Sequence, residues 1–165
     1  DMFIEKIVKR RKSLLDLLKI AGIIALTVLI CYLLLVYYTE LSMLLILGLI
    51  YLAYFLLTNC NIEYEYAVTN GNLDIDEIIN KRKRKSLFSA DCRNFETVAR
   101  IGSDKYTDEI KNCRHIRDYT SHNYDAEVWF IYMRLNNAPA VVLFEPSPQM
   151  IDSFFTFNPR KVFRN

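Results

Sequence analysis

Apolar and polar positions divide this chain into two regimes. Residues 20–38 (IAGIIALTVLICYLLLVYY) and 41–57 (LSMLLILGLIYLAYFLL) carry no charged side chain, and only Thr39 and Glu40 lie between them. As one unbroken helix the region would be roughly 57 Å long at about 1.5 Å per residue, against a bilayer core of about 30 Å. Two spans joined by a tight turn fit that thickness, so the pattern predicts a transmembrane helical hairpin over residues 20–58. From residue 59 the apolar residues fall into short stretches, and residues 59–165 are expected to form one compact, β-rich soluble domain. Upstream, Phe3, Ile4, Ile7, Val8, Leu14, Leu15 and Leu18 fall at helical spacing, with the basic residues mostly opposite. Residues 1–19 are therefore expected to be an amphipathic basic helix, either lying on the lipid interface or extending the first span.

Charge sets the expected orientation. The net charge of +2 is small, but Lys6, Lys9, Arg10, Arg11, Lys12 and Lys19 precede the first run, and Lys81, Arg82, Lys83, Arg84 and Lys85 follow the second. Lys and Arg flanking spans are retained on the cytoplasmic side, so a two-pass protein of the cell membrane is expected, with both termini and the soluble domain cytoplasmic and Glu40 outside. Tyr37, Tyr38 and Glu40 do not make a small-residue cleavage site, so the first run is read as retained rather than as a signal peptide. Four scattered cysteines fit a reducing compartment. Neither run holds an ionisable Asp, Glu, Lys, Arg or His, which argues against transport by the monomer. Tyr32, Tyr51 and Tyr54 lie at membrane depth and Gly22, Ala25, Ser42 and Gly48 permit close approach, so the hairpin is read as an anchor or as a surface for homo-oligomer or complex assembly.

In the soluble half, Asn70-Gly71 is a two-residue turn signal that fixes a register. Val68 then faces Leu73, Tyr66 faces Ile75 and Ile62 faces Ile79, with Glu65 facing Asp76 on an outer acidic face. The basic run at 81–85 is expected to fold alongside and neutralise that face, or to meet phospholipid headgroups. Residues 86–90 and 95–101 read as short strands. A second hairpin joins 127–135 to 138–144 through Asn136-Asn137, with Trp129 facing Phe144 and Ile131 facing Val142; both faces are apolar, so these strands are expected to be central. Ser147-Pro148 starts a helix whose stripe is Met150, Ile151, Phe154 and Phe155, and Asn158-Pro159 ends it. Strands in hairpins followed by one amphipathic helix suit an α+β domain, a small antiparallel sheet or partly open barrel with the C-terminal helix over one opening, which resembles the pleckstrin-homology-like (PH-like) fold.

Residues 64–85 (YEYAVTNGNLDIDEIINKRKRK), with Asp91-Cys92 and the closing Asn158-Pro159-Arg160-Lys161-Val162, resemble a family of uncharacterised bacterial two-pass membrane proteins with a cytoplasmic bacterial PH-like domain. The pattern Y-x-(V/L)-T-(N/D)-x-x-L-x-I is met by Tyr66, Val68, Thr69, Asn70, Leu73 and Ile75. The resemblance covers nearly the whole chain, and its motifs are structural: it implies a fold and no catalytic residue. The polar stretch 103–126 departs from it, being longer than a strand connection requires.

Chemistry has few places to reside. Cys113, His115 and His122, with Cys92 brought in from elsewhere, are the one cluster worth weighing as a zinc or thiol site, but C-x-H is not a usual zinc spacing. No Gly-rich phosphate loop, HExxH or GxSxG occurs. No cofactor, metal or nucleic-acid partner is expected. The leading expectation is a membrane-anchored, non-enzymatic binding or scaffold module recognising a protein partner or anionic lipid headgroups, through the sheet, the 103–126 stretch, or Lys9, Arg10, Arg11, Lys12 and Lys81, Arg82, Lys83, Arg84, Lys85. The alternatives are a small subunit of a membrane complex assembled through the hairpin, and a metal- or thiol-dependent enzyme centred on Cys113 and His115.

Overall fold

The computed structural model describes residues 3–38 and 40–164. Asp1 and Met2, at the start of the expected amphipathic helix, and Thr39, in the expected turn, lie outside them, as does Asn165.

Helix α1 (Leu14–Tyr37) and helix α2 (Ser42–Thr58) fold back on each other. Ser13 and Asp16 start α1 as a capping box: Ser13 Oγ accepts from Leu15 N, and Ser13 N donates to the Asp16 carboxylate at 3.0 Å. α1 has no buried residue and α2 only Ser42, so apolar side chains such as Leu29, Leu47 and Tyr51 project outward from the pair. α1 is the one helix among the described residues long and apolar enough to cross a bilayer by the usual length criterion; α2, at 17 residues, is uncharged and shorter.

The segment before α1 corrects the sequence reading. Residues 3–9 are not helical: they form strand β1 (Phe3–Lys9), antiparallel to β2 (Ile62–Thr69), with Phe3 facing Thr69 and Lys9 facing Glu63. The physical reason is that Ile4 and Val8 pack beside the buried row of β2, and seven residues of ladder outweigh a weak local helical pattern. Lys6, on the same inner face, donates from Nζ to the Glu145 carbonyl at 2.8 Å. The soluble domain therefore does not begin at residue 59. It takes its first strand from before the hairpin, and the hairpin is an insertion between two neighbouring strands.

β3 (Asn72–Ile79) and β4 (Lys83–Asp91) complete a four-stranded sheet in the order β1-β2-β3-β4. The register read from Asn70-Gly71 holds, with Val68 opposite Leu73, Tyr66 opposite Ile75 and Ile62 opposite Ile79. Asn70 and Gly71 both have positive φ, as the turn demands. The β3–β4 register shifts by one between Ile75 and Asp76, where Leu87 is the extra residue of a bulge. That sheet has the order β5-β7-β8-β6, from β5 (Phe95–Arg100), β6 (Ile116–Asp118), β7 (Trp129–Leu135) and β8 (Ala138–Phe144). β7 and β8 are central and pair Trp129 with Phe144 and Ile131 with Val142, as expected. The 103–126 stretch contributes β6, parallel to β8, and a single helical turn, α3 (Asp108–Lys111). α4 (Pro148–Phe157), capped by Ser147, inserts Met150, Ile151 and Phe154 between the sheets, where Phe154 meets Phe95 edge-on and Phe144 at a tilt. Two sheets, the first antiparallel and the second antiparallel except for β6, are closed by a C-terminal helix and enclose one main core, with Tyr66, Leu73, Ile75, Ile131 and Phe144 fully buried.

Candidate functional site: a basic rim at the base of the helices

The strand order decides where the basic residues meet. β1 runs into α1 and β2 leaves α2, so the end of the sheet carrying Lys9, Arg10 and Ile62 is the base of the helical pair. β3 returns to this end, because Ile79 faces Ile62. The turn after it is tied to the base of α2: Asn80 N donates to Asn61 O at 2.8 Å, and Asn80 and Lys81 both adopt left-handed φ. β4 then starts at Lys83. Lys9, Glu63, Ile78 and Arg84 form one row across the four strands, about 14 Å wide at about 4.8 Å per strand. Two basic runs separated by the whole hairpin in sequence therefore share one edge of the domain. The second run, well removed from the spans in sequence, starts beside the helix base in space.

Within this rim the cations play different parts. Arg10 is half-buried and donates from Nη2 to Asp16 at 2.9 Å, locking the strand end to the first turn of α1. Arg11 lies 4.6 Å over the Tyr124 ring, and its N–H donates to Ser121 O at 2.7 Å. Arg84 is drawn to the acidic outer face: Nη1 donates to Glu65 Oε1 at 3.2 Å, and Nη2 lies 2.9 Å from Oε2 at an angle too poor for a hydrogen bond. The basic run does fold beside the acidic face as expected, but it neutralises it through this one pair. Lys9, Lys12, Lys81, Arg82, Lys83 and Lys85 are exposed and make no ion pair among the described residues. Burial pushes the Glu65 carboxyl above its ordinary range; Arg84 opposes the shift and Glu5 and Asp76 add to it.

Sequence reasoning missed Asp16, which engages Arg10, and Glu145, which is buried and accepts from Ser121 N at 2.6 Å and Ser121 Oγ at 2.7 Å. The Ser-x-x-Asp spacing at 13–16 is a capping-box signal and would have placed the helix start there. Nothing in the local sequence announces Glu145.

The cysteine cluster is not brought together. Cys92 is buried in the main core beside the Gly71 turn, and burial pushes its thiol up to about 11. Cys113 packs against a separate small cluster around Ala99, Phe130 and Val141, and its Sγ lies 3.3 Å from Pro139 O. Among the described residues no three His, Cys, Asp or Glu side chains are grouped to hold a metal.

Two sheets wrapped on a core and closed by a C-terminal helix define a PH-like domain, a class of binding or scaffold modules. A family model described as "Bacterial PH-like domain (DUF6106)" matches residues 1–164, and the chain belongs to this family. No curated protein and no solved structure matches the chain.

Proposed function

We propose that this protein is a two-pass, membrane-anchored and non-enzymatic binding module, whose PH-like domain is held against the cytoplasmic leaflet and recognises anionic phospholipid headgroups through its basic rim. The observation that carries the reading is the convergence of both basic runs on the edge of the domain from which the helices leave. Six exposed cations stand on that edge, and each that comes near an anionic bilayer is worth about 1 kcal/mol, an attraction that falls off within a Debye length of about 8 Å. Two-pass topology is supported by the pairing of β1 with β2: one sheet lies on one side of a membrane, so if α1 crosses, α2 must return. Its 17 residues fall at the short end of the spanning range of about 17 to 25. The density of Lys and Arg at the helix base favours the cytoplasmic side.

The test is lipid analysis of full-length protein captured in mild detergent and of the variant with Lys81, Arg82, Lys83 and Lys85 changed to Ala. Enrichment of anionic lipid over the bulk membrane, lost in the variant and weakened by salt, is expected. Equal lipid composition in both samples sinks the headgroup reading.

A second reading rests on Tyr32, Tyr51 and Tyr54, each more than half exposed on the helical pair at bilayer depth. Phenolic hydroxyls in hydrocarbon favour a hydrogen-bonding neighbour, which a partner helix or a second copy supplies. In that case Tyr51→Leu disrupts an oligomer or complex while the soluble domain stays folded, and a strictly monomeric wild type in detergent removes the reading.

A further inference from the structure

The loop joining β6 to β7 holds a feature that the basic rim does not use. Tyr124 is the most exposed large apolar side chain among the described residues, at 91%. It nevertheless stands on a fixed base. Ser121, 1% exposed, is held by the buried Glu145 carboxylate through both its N–H and its hydroxyl. His122 adopts left-handed φ, and Asn123 N donates to Ser121 Oγ at 3.3 Å, closing the turn that presents Tyr124. The backbone of this turn is bonded to Arg11, whose guanidinium covers one face of the Tyr124 ring, and Arg11 lies two residues before the cap of α1.

We infer that Tyr124, with Arg11 over its ring, is an interfacial anchor that rests at headgroup level on the phospholipid surface beside α1 and fixes the lean of the domain on the bilayer. An aromatic ring with a polar tip is the side chain that favours this zone, and a guanidinium beside it meets the lipid phosphates. The geometry supplies the reason for its exposure: a buried carboxylate, a buried serine and a strand-end backbone bond are committed to holding one tyrosine away from the core, at the end of the domain where the helices leave. α1 favours a lean as well. Its 24 residues are about 36 Å long, more than a hydrocarbon core of about 30 Å, and such a helix tilts. The inference rests on the membrane-anchored reading above and adds to it a contact that is aromatic rather than electrostatic.

The experiment uses full-length protein in anionic phospholipid vesicles, with nitroxide lipids labelled either at the headgroup or deep in the acyl chain. Wild-type protein, whose one tryptophan is the buried Trp129, gives the baseline. Three variants each add a tryptophan: Tyr124→Trp, Phe155→Trp in α4, and Tyr51→Trp in α2. Headgroup nitroxide is expected to quench the emission added at 124 several-fold more than that at 155, while deep nitroxide quenches 51. If 51 is quenched and 124 no more than 155, the anchor is wrong and the membrane reading stands. If 51 is not quenched at depth, the membrane reading fails and takes the anchor with it.

Discussion

Arg10 N donates to Ile62 O at 2.9 Å, closing the β1–β2 ladder across a gap that contains the entire helical pair. Because the bond lies one residue beyond the last paired strand position, the two ends of the hairpin are clamped side by side. If the helices cross a membrane, Glu40 at their far end and the soluble domain lie on opposite sides of it. With the domain cytoplasmic, an impermeant maleimide applied to intact cells is expected to modify Glu40→Cys and to leave Cys113 unmodified until the membrane is opened. Modification of both before opening would refute the crossing.

Val8 tests whether β1 belongs to the soluble domain. Its side chain is buried against the first sheet. Val8→Asp places a carboxylate there without a partner and is expected to destabilise the domain by about 3 kcal/mol or more, read as a lower urea midpoint of soluble-domain unfolding in detergent. Ile7→Asp, one residue away on the exposed outer face, is expected to cost much less.

Gly71 has a backbone and a packing reason to be glycine. Its φ is +86°, and a Cβ there would lie 2.7 Å from Phe157 Cδ2 and 2.9 Å from Cys92 Sγ. Gly71→Ala is expected to lower stability by about 2 kcal/mol, and a thermal melt reads this directly. An unchanged melting temperature would mean that the turn and the end of α4 are not packed as described.

Glu65 and Arg84 give a pH-dependent prediction. Burial holds the Glu65 carboxyl above its ordinary 4.5, with Arg84 pulling it back down. A carboxyl whose folded value lies above its unfolded one binds a proton more readily when folded, so its ionised form costs stability above the folded value and that cost fades as pH falls. Arg84→Ala removes the opposing charge and raises the folded value further. The variant is expected to be about 1 to 2 kcal/mol less stable near neutral pH, with the deficit shrinking as the pH is lowered from neutral into the acid range. Urea midpoints across that range measure it, and adding Glu65→Gln should flatten the dependence.

Much of this fold was legible wherever the pairing is local. Asn70-Gly71 and Asn136-Asn137 each supply the positive φ of a tight turn, and from those two points the registers of β2–β3 and β7–β8 follow residue by residue. Ser147-Pro148 placed α4 in the same way. β1 was illegible because Phe3, Ile4, Ile7 and Val8 satisfy a helical spacing, while the partner that makes them a strand lies beyond the hairpin. β6 is three residues long, exposed and paired in parallel with a strand it does not adjoin in sequence, so no local period marks it. The same holds for the rim. Each basic run is plain in the sequence, but that they share an edge depends on β3 returning to the base of α2, and that Arg10, Arg11 and Arg84 are already engaged depends on Asp16, Tyr124 and Glu65.

The insertion of the helical pair between β1 and β2 also orders events during synthesis. β1 leaves the ribosome before either helix, and the strand it pairs with is made only after both. In the proposed topology the first sheet can close only once the chain has crossed the bilayer and come back. A chain whose first helix crosses without the second returning puts β1 and β2 on opposite sides of the bilayer and leaves the backbone edge of β2 bare, the kind of surface that invites aggregation and degradation. In that topology a chain that has entered the bilayer once can complete its first sheet only by crossing back.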